Sequence, residues 1–295
     1  MLAKVNNTNI FCFGFGQVAK SLINKIRLEN LKINLSTTST GKTCKKNING
    51  LNYDSYFFNN ESYDESLIKK LQDADYILVS VPPKNGIDLV IKNFSKIIKN
   101  CKAKWITYLS ATSVYGDHNG EWVSEKSITN PTSPNGIARL AAENSWMSLS
   151  VDKNLPIQIF RLSGIYSNKS NVLVRLKSGN INLISKKNHF FSRVHVEDIV
   201  GILFKSMSNF KGGEIYNISD DKPSSSEEVT LYGVKLLNID KPKLIEVDEI
   251  ENEMQKNFYN DSKKVSNKKM KNFFNYNLKF PTYVEGLDYI RDNLT

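Results

Sequence analysis

The chain has 295 residues, 40 Lys+Arg against 30 Asp+Glu (formal net charge +10) and 40% hydrophobic residues. That apolar content supports one large domain with a smaller one attached and excludes a disordered chain or a stapled miniature. Cys12, Cys44 and Cys101 lie far apart with no Cys-x-x-Cys pair, which excludes a disulfide framework and a zinc site and fits a reducing compartment.

The positive charge is spread along a chain rich in lysine and asparagine. Lys263, Lys264, Lys268, Lys269 and Lys271 cluster, but no nucleic-acid-binding motif accompanies them, so the charge reads as solvated surface and no nucleic-acid partner is expected. The opening MLAKVNNTNI has no apolar signal-like core, and no apolar run approaches the ~20 residues that cross a bilayer. A cytoplasmic protein without a membrane partner is therefore expected.

In chain order, Ile10, Phe11, Cys12 and Phe13 form an apolar run suited to a buried parallel strand, while Val18, Ala19, Leu22, Ile23 and Ile26 recur at helical spacing. Between them stands Gly14-x-Gly16-x-x-Ala19. Gly14 allows a tight turn, Gly16 lets a pyrophosphate approach the backbone, and the helix start at Gln17 and Val18 offers unpaired N–H groups to it. The alternative is an ordinary strand-turn-helix with convenient glycines. A second strand is expected over Lys32 to Ser36, and no Asp or Glu occurs from Asn30 to Tyr53 to accept from the ribose 2′-OH of NAD. Thr38, Ser39 and Lys42, with Thr37, Thr40, Lys45 and Lys46, suit a 2′-phosphate instead. This favours NADP over NAD, although the lysines also read as exposed loop residues.

Further strands are expected over Tyr53–Phe58, Tyr76–Val81 and Trp105–Leu109, with helices over Glu61–Leu71 and Gly86–Lys99 between them. Alternation of this kind predicts a doubly wound parallel sheet. Pro82-Pro83 ends the strand of Val81, so Val81 and Pro82 fall at a strand C-terminus, where such sheets bind ligands. Beyond Trp105–Leu109 come Ser110-Ala111-Thr112-Ser113-Val114-Tyr115-Gly116-Asp117, a helix from about Gly136 to Leu149, Arg161-Leu162-Ser163-Gly164-Ile165-Tyr166 and Val194-His195-Val196-Glu197-Asp198. Ser224-Ser225-Ser226-Glu227 reads as a capping box for a helix toward Leu237, and Pro281 to Leu287 starts the last helix. Asn252 to Lys271 is polar and is expected to be mobile.

Together these segments resemble the extended short-chain dehydrogenase/reductases, in their NAD(P)-dependent epimerase/dehydratase branch. The resemblance implies an α/β, Rossmann-type cofactor domain over residues 1–165, with 190–219 returning to it, and a small substrate-binding lobe over 166–295. It also implies a dinucleotide and a small polar substrate, such as a sugar or sugar nucleotide, and is compatible with a homodimer. The family's proton transfer uses a Tyr-x-x-x-Lys pair and a Ser or Thr, because a phenol with pKa near ~10 needs a neighbouring cation to act as a base. Here Asn135 stands at the tyrosine position, Arg139 at the lysine position and Ala111 at the hydroxyl position. An amide has no titrating proton and an arginine cannot be deprotonated, so the usual acid/base set is missing. Arg139 remains suited to ribose hydroxyls, beside Ser110, Ser163 and Gly164.

Thr112 and Tyr115 are the remaining candidates at the reaction site, Tyr115 ahead of Asp117, His118 and Glu121. His195 and Asp198 read as architectural, and His189 has no identifiable partner. No set of residues has metal-ligand spacing. Two functions follow: an oxidoreductase with a non-standard active site, or a non-catalytic NAD(P)-binding sensor.

Overall fold

The computed structural model describes residues 7–84, 86–252, 256 and 258–293. Strand β1 (Thr8–Phe13) is the expected apolar run, and Phe11, Cys12 and Phe13 are wholly buried because parallel neighbours flank it on both sides. β2 (Ile33–Ser39) and β5 (Tyr76–Val79) pair with it in parallel. Outside them lie β4 (Leu51–Phe57), parallel to β2, and β6 (Trp105–Ala111), parallel to β5. With β3 (Cys44–Ile48), β8 (Ile157–Leu162) and β12 (Glu214–Ile218), the sheet has eight strands in the order β12-β8-β6-β5-β1-β2-β4-β3. The fold is α/β and Rossmann-type.

Strand β3 departs from the sequence reading, which left its lysines in a loop. It folds back antiparallel on β4 through Asn49 (φ +49°) and Gly50 (φ +86°), the Asn-Gly pair that a two-residue hairpin turn requires. One face of this end of the sheet is lined by Asn34, Ser36, Asn52, Asp54 and Lys45 around a cavity of about 640 Å³. The polar choice at these positions suits a sheet face in contact with water.

The chain divides into two units. The first comprises Met1–Ala111, Ile137–Arg161 and Val200–Tyr216; the second comprises Thr112–Gly136, Leu162–Ile199 and Asn217–Thr295. In the first, α1 (Gln17–Leu28) buries Val18, Ala19, Leu22, Ile23 and Ile26, the periodic set read from the sequence. Helices α2 (Leu67–Gln72) and α3 (Leu89–Ile98) contribute Leu71, Val90 and Phe94 to a core with Phe11, Phe13, Ile77 and Val79. Asp88 caps α3 by accepting from the amides of Val90 and Ile91, both at 2.9 Å, and from the Trp146 indole of α4 (Pro134–Lys153) at 3.0 Å. Glu143 of α4 receives a two-pronged bond from Arg161 of β8, 2.7 Å at its shortest, with both side chains almost wholly buried. Removing one partner of such a pair strands a charge away from water.

The second unit is built around α5 (Val172–Lys177), α7 (Ser226–Leu237) and α9 (Tyr283–Asp292), whose Leu173, Leu176, Val229, Val234, Leu287 and Ile290 share a core with Tyr166. Gly286 is required there, since a Cβ would fall 2.0 Å from the Tyr166 hydroxyl. Thr282 and Glu285 form a reciprocal capping box on α9. At α7 the box read from Ser224 to Glu227 is corrected to a single cap: Ser225 accepts from the Glu228 amide at 3.0 Å.

The expected mobility of Asn252 to Lys271 is also corrected, apart from residues 253–255 and 257, which lie outside the described residues. β14 (Lys264–Val265) pairs with β7 (Trp122–Val123), α8 (Lys268–Phe274) follows, and Ser262, Lys263 and Asn267 are buried. Tertiary hydrogen bonds, absent from any local pattern, order this polar stretch.

Candidate functional site

The glycine turn joins β1 to α1 as its spacing requires. Gly14 has φ +80°, and a Cβ there would lie 3.0 Å from both Ser80 Oγ and Val81 Cγ2, so the turn and the close approach both need glycine. Gly16, by contrast, has nothing within 4 Å of a built Cβ and faces open space. It is the N-cap of α1 and supplies no side-chain cap, and the first turn carries no acidic residue. The helix's opening amides, at Gln17 and Val18, therefore keep their positive end free for an anion.

Beside this turn lies a cavity of about 510 Å³ lined by Gly14, Thr37, Thr38, Ser39, Val81 and Pro82 among others. With Thr40 and Lys46, eight of the residues read from the sequence as suited to the cofactor thus meet at one cavity; Lys42 is exposed and, like Lys45, is not among its lining residues. Thr38 Oγ1 accepts from the Gly14 amide at 2.9 Å and fastens the turn to β2. Thr37 is wholly buried and its hydroxyl has no hydrogen-bond partner among the described residues; Ser110, at the end of β6, is alike. Arg139 of α4 donates to the Leu109 carbonyl at 2.9 Å, tying that helix to the same strand end.

The residues past β6 belong to the second unit and are arranged differently. Thr112–Tyr115 form a 3₁₀ turn in which Thr112 is half-buried. Tyr115 is wholly buried and its hydroxyl donates to Asn217 Oδ1 at 2.7 Å. Asn217 in turn donates its side-chain amide to the Ser266 carbonyl and its backbone N–H to Glu125 Oε1 at 2.8 Å. Asp117 accepts from the Ser262 amide at 2.7 Å and the Asn119 amide at 3.2 Å; burial opposes its charge, but these amide bonds and Lys263 outweigh it and hold the carboxyl below its usual range. Asn135 is exposed at the start of α4, and Gly136 packs so tightly that a Cβ would lie 2.7 Å from the Ser113 carbonyl. Ser163, buried and with no hydroxyl partner among the described residues, precedes Gly164 of β9 (Gly164–Tyr166), which pairs with β11 (Arg193–His195).

Residues 91–219 of the chain match the NAD dependent epimerase/dehydratase family. The chain belongs to this family.

Among relatives of this epimerase/dehydratase-family chain, Protein YeeZ of Escherichia coli K12 is 28% identical over 164 residues, which span 52% of this chain and 56% of YeeZ, little more than half its length. A functionally unknown conserved protein from Silicibacter pomeroyi DSS is 30% identical, with a TM-score of 0.85 over 98% of this chain and 99% of that one. The UDP-glucuronic acid 4-epimerase of Bacillus cereus, solved in complex with NAD, superposes with a TM-score of 0.76 over 97% of this chain and 99% of its own, at 16% identity, which shows the shared fold. The family depends on a nicotinamide dinucleotide, and the glycine turn fits one: the uncapped helix start, the open space over Gly16 and the Thr37 hydroxyl, without a partner among the described residues, all call for a polar ligand.

The family segment Val194–Asp198 is architectural. Asp198 of α6 (Val196–Ser206) accepts from the amides of Lys279 and Phe280 at 2.6 and 3.0 Å, bracing the C-terminal segment rather than its own turn. His195 is wholly buried beside Tyr166 and Phe280, and burial lowers its pKa to about 4. His118 reaches the Ile128 carbonyl at 3.2 Å. Burial pushes the Cys12 thiol up to about 12, so it is inert. No group of three or more His, Cys, Asp or Glu among the described residues could hold a metal, and none of the described helices is long and apolar enough to cross a membrane.

Sequence reasoning missed Lys20, Phe15 and Tyr53 as cavity residues. Lys20 follows the glycine turn by one helical step and was legible; Phe15 and Tyr53, whose rings sit 5.1 Å apart, meet only through the sheet.

Proposed function

We propose that the chain is an NADP-preferring oxidoreductase of the epimerase/dehydratase type, acting on a small polar substrate such as a sugar or sugar nucleotide with a non-standard acid/base arrangement. The observation that carries it is the glycine turn with its open, uncapped helix start beside a hydroxyl-lined cavity free of carboxylates among the described residues. The bound nicotinamide supplies hydride acceptance and donation. The Gln17 and Val18 amides would hold the pyrophosphate, Ser39 and Lys46 the adenosine ribose, and Val81 and Pro82 the adenine. Ser110 and Arg139 orient the ribose at the end of β6. Thr112, Ser163 and Gly164 serve substrate or nicotinamide positioning. In this reading residues 1–165 and 190–219 hold the cofactor and 166–295 the substrate.

Three free cysteines support a reducing, cytoplasmic setting, and the exposed Ile137 and Val151 of α4 support a homodimer, which sedimentation would measure. Titration of the protein with NADPH and NADH, followed by fluorescence, tests the reading. Tighter NADPH binding is expected; binding of neither overturns it.

A non-catalytic dinucleotide sensor is favoured by one observation: Tyr115 spends its hydroxyl on Asn217 and Asn135 carries no titrating proton. Hydride exchange between NADPH and a panel of oxidised sugar nucleotides separates the two. Exchange supports the enzyme; tight NADPH binding without exchange supports the sensor.

A further inference from the structure

Two lysines that line the cavity from different elements have no partner among the described residues, and the way the β3 hairpin is docked explains why both reach it. Along α1, Lys20, Asn24 and Arg27 follow one another at i, i+4 and i+7 and so form one stripe. The lower two hold the hairpin: Asn49 donates to Asn24 Oδ1 at 3.1 Å, and Arg27 reaches the Ile48 carbonyl at 3.4 Å. One turn further toward the glycines, the stripe ends at Lys20, which lines the 510 Å³ cavity together with Lys46 of β3. Lys46 stands opposite Tyr53 in the β3–β4 register, and the Tyr53 ring contacts Phe15 of the glycine turn, so β3 carries Lys46 to the cavity's edge.

The charges are distributed with a purpose. The cavity is lined by Lys20, Lys46 and Lys84 and, among the described residues, by no carboxylate. Lys84 bonds Asn60 at 3.4 Å, whereas Lys20 and Lys46 make no ion pair or hydrogen bond among the described residues. Their neighbours behave otherwise. The 640 Å³ cavity on the opposite sheet face balances Lys45 and Lys70 with Asp54 and Asp73, and Lys70 pairs with Asp54 at 3.6 Å. Strand alternation sends Lys45 to that balanced face and Lys46 to the unbalanced one. Three like charges on one cavity, two of them without a partner among the described residues, beside a Thr37 hydroxyl that also has none there, call for a dianionic group.

We propose that Lys46 of the β3 hairpin and Lys20 of α1 form a clamp for the 2′-phosphate of the dinucleotide and set its preference for the phosphorylated cofactor. This rests on the dinucleotide reading above. Lys42, three residues past the end of β2, does not line the cavity and is not part of the clamp.

The test compares fluorescence titrations of NADPH and NADH, with competition by 2′,5′-ADP and 5′-AMP, in the wild type and in Lys46→Gln, Lys20→Gln and the double variant. Each single change is expected to raise the NADPH Kd about tenfold and the double change about a hundredfold, with NADH altered less than about twofold. The 2′,5′-ADP affinity should fall in step while 5′-AMP stays level. Lys45→Gln removes the same charge from the same hairpin on its other face and should leave every Kd unchanged. If the wild type binds neither cofactor, the dinucleotide reading fails and the clamp with it. If it binds them but Lys46→Gln alters both equally, alters neither, or acts no differently from Lys45→Gln, the clamp alone is overturned.

Discussion

The glycine turn of the first unit and the turn after β6 in the second carry similar side chains and use them in opposite ways. At the glycine turn the α1 start has no side-chain cap, the Thr37 hydroxyl, Lys20 and Lys46 have no partner among the described residues, and a Cβ on Gly16 would meet nothing within 4 Å. After β6 the polar groups satisfy one another: Tyr115 binds Asn217, Asp117 binds the Ser262 amide, and Lys263 donates to the Gly116 carbonyl at 2.7 Å and to Asp261 at 3.2 Å. Buried polar groups must be paired, so the first region is arranged to receive a ligand and the second to keep its shape.

The strongest challenge to that contrast is Gly16→Val. Its side chain enters free space, so the melting temperature should hold while dinucleotide affinity falls about a hundredfold or more, because the branched group covers the helix amides. Unchanged affinity would show that the open space is not the diphosphate site. Lys263→Met makes the reverse cut. Losing the buried ammonium leaves the Gly116 carbonyl and Asp261 unpaired, and a loss of about 3 kcal/mol in denaturant unfolding is expected, with cofactor affinity in the surviving folded protein unaltered.

A third test uses pH. Burial, and then the nearby charge of Lys186, lowers the pKa of His189 to about 4, against weaker opposing contributions from the Asp261 and Tyr259 backbone; its ring stacks 5.3 Å from Tyr259. An unfolded histidine titrates near ~6.5. The native state therefore prefers the neutral ring, so this contribution is full above pH ~6.5 and is lost as pH falls toward 4, amounting to about 2 kcal/mol at pH ~5. Asp198, raised chiefly by burial, and Asp220, raised well above its usual range also by burial, act with the opposite sign and reduce the net slope. His189→Phe should make the protein more stable than the wild type at pH ~5 and remove part of the acid-side slope. An identical slope would place the acid sensitivity elsewhere. The smallest effect belongs to Tyr115→Phe: about 1 kcal/mol of stability for the Asn217 bond and no change in cofactor affinity. Turnover lost at unchanged melting temperature would make Tyr115 the proton-transfer group after all.

Much of the first region was legible in the sequence. Gly14, Gly16 and the period of Val18, Leu22, Ile23 and Ile26 specify strand, turn and helix within 20 residues, because each depends on backbone freedom or on a single buried face. The β3 strand was legible too, through Asn49-Gly50, but a run of lysines obscured it. Cys44-Lys45-Lys46-Asn47 lacks the apolar alternation of a buried strand because β3 is an edge with all four residues exposed.

The second region was not legible to the same degree. Ser262, Lys263 and Asn267 look like solvated surface until Gly116, Asn188 and Ser219, 48 to 147 residues away, are brought to them. By itself, the sequence determined the alternation of strands and helices and the glycine turn at its head, because local sterics and side-chain identity suffice for these. Only the tertiary structure decided which lysines lack carboxylate partners and which hydroxyls are already spent. Pairing depends on what the sheet and loops bring within three ångströms, and sequence spacing carries no such distance.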